Sequence, residues 1–260
     1  MKSSSRKFLS IAAMAVVSIG ANAGYGYTIT TPAGLNVGDH FYLVFVTADS
    51  IAATSSSLST YDTFAQSEAA TGGTDTYGSQ SITWEALGST NSTNAISRFD
   101  PGNVPVYLVD GTPIANSTDD IWSGHILNPI NVNSAGAAEA NTSVWTGTSS
   151  NGTEPAGFYT PPKATNSMES PSGLGNPPVE FGSTYYTDYA WVDTSYQTFE
   201  NNDGVNIKLP IYAFSSELTV TDNAIPNQPV PLPSSAAMTA VGTMLLALRA
   251  AAGRLKLLVQ

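Results

Sequence analysis

The six residues Phe41 to Val46, F-Y-L-V-F-V, are apolar or aromatic at every position. So short and continuous a run, ending in Thr47-Ala48-Asp49-Ser50, offers no polar face to water and reads as a buried strand. A buried strand needs cover from other elements, so the chain must build layers around it. The nearest helical pattern is Leu58, Tyr61, Phe64, Ala65 and Ala69, with Ser59 or Thr60 as N-cap and Gly72-Gly73 as stop. It predicts a helix of about two to three turns, packed on the strand before it.

Further signals are β-like. V-P-V-Y-L-V-D-G-T-P-I-A places Val104, Val106, Leu108 and Ile114 around Asp110-Gly111, a dipeptide suited to positive φ, and predicts a hairpin. Tyr25–Thr30, I-W-S-G-H-I-L-N-P-I-N-V, Y-A-W-V-D-T-S-Y-Q-T-F and I-K-L-P-I-Y-A-F-S-S-E-L-T-V are read as short extended pieces, and S-V-W-T-G-T-S-S-N-G-T as Trp145 beside a Gly-rich bend. Trp84, Ala86 and Leu87 read as a core edge, Asn94–Arg98 as a second helical turn, and Glu154–Glu180 as loop. The 22 glycines and 16 prolines argue for many turns, and no repeat at a solenoid period is present. The expected fold class is α+β: loop-rich, mostly β, with one or two short helices, over residues 24–222.

Charge is segregated. All 20 acidic residues lie between Asp39 and Asp222, where only Arg98, Lys163 and Lys208 are basic, giving that body a formal charge of −17. Such a surface repels phosphate backbones, so nucleic acid is excluded as a partner. The chain has no cysteine, which excludes disulfides, Cys-ligated zinc and thiol catalysis. His40 and His125 are the only histidines and share no metal-binding spacing. No G-x-S-x-G elbow supports a serine nucleophile. Asp119-Asp120 with Asp110 form the Ca²⁺ candidate, and no other cofactor is expected.

The ends differ from the body. Residues 1–23 combine a basic start, an apolar run from Phe8 to Gly20 and the small-x-small end Ala21-Asn22-Ala23. This is the layout of a signal peptide cleaved before Gly24. Residues 223–235 form a Pro-rich linker, and 236–260 are expected to form a weakly apolar membrane helix with a basic flank at Arg249, Arg254 and Lys256. With Val230-Pro231-Leu232-Pro233 ahead of it, this tail resembles the VPLP variant of the PEP-CTERM sorting signal. The resemblance implies an exosortase-type membrane peptidase as partner, passage through the inner membrane, and an envelope or extracellular destination.

The body carries a second resemblance. Val109-Asp-Gly-Thr-Pro-Ile-Ala-Asn116, Pro129-Ile-Asn131 and Val144-Trp-Thr-Gly-Thr148 are its most specific parts, within a match over Phe41–Leu218. These resemble a domain of unknown function in bacterial surface proteins, itself similar to the endostatin and C-type-lectin-like fold. Family members place a cysteine where this chain has Ala213. The family has no established activity to transfer. Trp191-Val192-Asp193 and Glu154-Pro155-Ala156 stand near the calcium-and-sugar motifs of lectin-like domains, but Val192 and Ala156 replace amide ligands. The resemblance therefore brings no such sugar site, and Trp191 is read as core. The expected function is non-enzymatic recognition, of glycans or matrix components, or a structural role in the envelope. The alternative is a secreted hydrolase acting on extracellular polysaccharide.

Overall fold

A computed structural model describes residues 26–99, 102–155, 172–198 and 204–221. The signal-peptide, linker and sorting-helix expectations, with Val230–Pro233, lie outside the described residues. The elements in chain order are β1 (His40–Val46), β2 (Ile51–Ala52), α1 (Leu58–Gly72), β3 (Thr76–Tyr77), β4 (Gln80–Ser81), β5 (Trp84–Ala86), β6 (Val106–Leu108), β7 (Pro113–Ala115), α2 (Thr118–Ile121), β8 (Ser143–Trp145), β9 (Val179–Ser183), β10 (Ser195–Gln197), β11 (Lys208–Leu209), β12 (Tyr212–Ser215) and β13 (Leu218–Thr219). Among the described residues the chain is mostly β and loop-rich, with two α-helices, which is the α+β class expected.

The Phe41–Val46 run becomes the central strand β1. The main sheet runs β5-β12-β1-β6-β7, with β13 also pairing β1. β1 is antiparallel to β12 and β13 and parallel to β6. Phe41, Leu43, Val44, Phe45 and Val46 are fully buried. β12 and β13 lie along the same edge of β1 and leave a gap between them, which the Ser215 hydroxyl fills by accepting the Leu43 N–H at 2.8 Å. A buried donor is thereby satisfied where the ladder breaks.

α1 covers Leu58–Gly72 and buries Tyr61, Ala65 and Ala69, as its spacing predicts. It ends at Gly73, whose φ of 83° is left-handed and whose N–H bonds to Ala69 O. A Cβ at Gly73 would also strike the Gly26 backbone, so both conformation and space demand glycine. The helix is longer than expected and starts after Ser57, ahead of the expected caps; the Ser57 hydroxyl pairs with Ser59 instead. Its main partner is the following strand β5, not the preceding one. The reason is polar. Gln66 Oε1 accepts from Trp84 N at 2.9 Å and Asp62 Oδ1 from Ala86 N at 2.8 Å, so helix side chains occupy the open edge of β5. Arg98 holds Asp62 through two bonds of 2.9 Å and reaches Ala86 O at 2.7 Å.

The hairpin β6–β7 forms as predicted, with Gly111 at φ 89° and Asp110 Oδ1 accepting from Thr112 N. Asn94–Arg98 contains the expected turn as a 3₁₀ helix over Ala95–Ser97. Other expectations need correction. Residues 26–30 form no strand, although Tyr27 N and Thr30 N bond to Gly72 O and Val109 O. The stretch from Ile121 onward is not extended: it opens in α2, where Ser117 caps Asp120 N and Asp119 and Asp120 suit the positive end of the helix. Y-A-W-V-D-T-S-Y-Q-T-F is not one strand either. Asp188 Oδ1 accepts from Ala190 N and starts a 3₁₀ turn at Tyr189–Trp191, before β10.

A second sheet, β10-β9-β8, joins the first through Trp145 N to Pro210 O and Ser89 N to Thr146 O. Trp145, Trp191, Tyr212 and Ala213 are fully buried. Trp191 is core, as read from the sequence.

Candidate functional site

Between β9 and β10 the chain makes a loop rich in tyrosine, S-T-Y-Y-T-D-Y, from Ser183 to Tyr189. Its base is fixed. Thr194 N bonds to Phe181 O at 2.9 Å, Thr184 N to Thr142 O at 3.0 Å, and Trp191 and Val192 are fully buried beyond it. Trp191 packs against Trp122 and Tyr212, with ring centroids 6.0 and 5.8 Å away. The loop's outer side is the reverse: Tyr185, Tyr186 and Tyr189 are 64%, 40% and 57% exposed. Tyr185 and Tyr186 stand edge to face at 5.3 Å. Rigid backbone below and aromatic faces in water above make a contact platform of low ordering cost.

A pocket adjoins it. Ile126 N donates to Thr187 O at 2.7 Å, which ties the loop to the segment after α2. That segment and the end of β7 enclose about 180 Å³, lined by Ile114, Ala115, Asn116, Asp120, Ser123, His125, Ile126 and Leu127. Leu127, half exposed, continues the apolar surface. Four of the six large apolar side chains exposed among the described residues therefore lie on this loop and its neighbouring segment.

Beneath the platform lies a carboxyl pair. Glu180 on β9 is only 2% exposed and feels Asp193, which follows the 3₁₀ turn; its Oε1 has no hydrogen-bond partner. Burial first, then the Asp193 charge and hydrogen bond, push the Glu180 carboxyl up to about 9, against a smaller opposing bond from Ser195. Asp193 Oδ2 also accepts from Ser150 N at 3.2 Å. The pair joins β9, the end of the tyrosine loop and the 148–154 segment.

The sequence-predicted site residues are dispersed. Asp110 belongs to the hairpin turn, Asp119 is exposed on α2, and only Asp120 reaches the pocket. No group of three or more His, Asp or Glu residues among the described residues could hold a metal, so these three carboxylates form no such centre. His125 lines the pocket, while His40 sits at the start of β1 against Glu217 at 2.5 Å. Glu154 N bonds to Asn94 Oδ1, on the far side of the loop it shares with Ser150. A wider groove of about 500 Å³ lies between α1 and Thr83-Trp84, but its carboxylate, Asp62, is held by Arg98 and Ala86. Sequence reasoning missed the three tyrosines and Glu180. The signal for the first was present: three tyrosines in five residues, among Ser, Thr and Asp, are hard to bury together. No known protein family and no curated protein matches the chain.

Proposed function

We propose that the chain is an exported, non-enzymatic recognition module of the bacterial envelope or extracellular matrix. Its body is of the C-type-lectin-like kind, and its tail is sorted by an exosortase-type peptidase after residues 236–260 engage the inner membrane as a helix. The observation that carries the recognition reading is the convergence of Tyr185, Tyr186, Tyr189 and Leu127, all exposed, beside a pocket of about 180 Å³. Exposed aromatics held on a fixed base mark contact surfaces. The sorting reading rests on the basic and apolar ends that flank an acidic body, and on Val230-Pro231-Leu232-Pro233.

Fractionation of the native host, with mass spectrometry of both termini, tests the sorting. The expected result is a mature chain beginning at Gly24 in the envelope or matrix, and altered processing or localisation when residues 230–260 are deleted. Unchanged localisation and form after that deletion defeats it. The alternative, a hydrolase acting on extracellular polysaccharide, requires release of reducing sugar that a single Asp or Glu substitution abolishes.

A further inference from the structure

The platform and pocket share a chemistry that narrows their ligand. No lysine or arginine lines the pocket or stands in the Ser183–Tyr189 loop, and the body around them is strongly acidic. Anionic polymers are therefore repelled. Two classes remain, uncharged hydroxyl-rich polymers and cationic ones. The lining favours the first. Asn116 and Ser123 each bring both a donor and an acceptor to the pocket, His125 brings a ring N–H, and Asp120 brings two acceptor oxygens. An ammonium or guanidinium head is donor-only: it can use the acceptors of this lining and leaves its N–H and O–H donors unmatched. A sugar hydroxyl donates and accepts at once and satisfies both kinds. The C–H faces of a pyranose ring are apolar and lie flat on tyrosine, as the exposed rings at 185 and 189 allow.

We infer that the 183–189 tyrosine loop and the adjoining Asn116–Asp120–His125 pocket bind neutral polysaccharide, with sugar faces on the tyrosines and hydroxyls in the pocket. This rests on the recognition reading and gives it a ligand class.

The test is affinity electrophoresis of the full chain through gels containing dextran, soluble β-glucan or alginate, with poly-lysine pull-down in parallel. Retardation is expected with a neutral polymer and not with alginate, and it should persist at roughly 0.5 M NaCl, where surface charge attraction is screened. Tyr185→Ala and Tyr189→Ala should each weaken retention roughly tenfold, the scale of one aromatic contact. Both side chains are exposed, so the melting temperature should hold. Asn116→Ala gives an independent reading of the pocket. Retention unchanged by all three variants overturns the site, and capture by poly-lysine or alginate alone overturns the ligand class. No retention by any polymer, with localisation still dependent on residues 230–260, overturns this inference and leaves the sorting reading intact.

Discussion

At neutral pH the buried Glu180 carboxyl keeps its proton, since ionising it would place a second negative charge against Asp193 without water. The unfolded chain releases that proton near 4.5 and the folded chain only near 9. Between those values the native state holds more protons than the unfolded one. The contribution is therefore complete below about pH 4.5 and is lost as pH rises toward 9, at up to about 1.4 kcal/mol per pH unit. Glu180→Gln, neutral and similar in shape, should flatten this slope and leave the variant more stable than the parent at pH 9. Urea unfolding at pH 5, 7 and 9 checks it; parallel curves for the two proteins would show that Glu180 ionises alike in the folded and unfolded chain. Nothing local in the sequence marks this pair. Glu180 in V-E-F-G and Asp193 two residues after Trp191 look like ordinary surface charges, and only the pairing of β9 with β10 brings them together.

The elements divide by how local their causes are. β1, α1 and the β6–β7 hairpin are legible because a continuous apolar run, a helical period and Asp-Gly each act within a few residues. Gly111→Ala should destabilise by about 1 kcal/mol or more, because its φ of 89° strains any Cβ. A lower melting temperature would show it. The partner of α1 was not legible, since it is chosen by hydrogen bonds across the sheet edge. Asp62→Ala removes the acceptor for Ala86 N and half-strands the largely buried Arg98, so a loss of about 2–4 kcal/mol in chemical denaturation is expected. Asp62→Asn, which keeps an acceptor but no charge, should lose less. Equal losses would mean that the edge bond contributes nothing. α2 was not anticipated, and the start of Y-A-W-V-D-T-S-Y-Q-T-F was misread as strand because the Asp188 cap acts on apolar neighbours, Ala190 and Trp191, that resemble strand residues.

For the molecule as a whole, the strongest influence without a local address is charge. Twenty carboxylates against three basic residues between Asp39 and Asp222 repel one another more strongly when packed than when the chain is open. Raising NaCl from about 10 mM to about 0.5 M should therefore raise the melting temperature. A flat or falling response would show that the folded surface has already dispersed its charge. That acidity and the absence of cysteine were readable from composition, and the α+β class from the order of strand and helix signals.

One arrangement in the main sheet bears on how the protein comes into being. β1 takes partners from β6, some sixty positions later, and from β12 and β13, at the far end of the described chain. Pairings so distant in sequence close slowly. A polypeptide whose first strand waits for its last has no finished core until Thr219 is available, and stays threadable through a narrow channel until then.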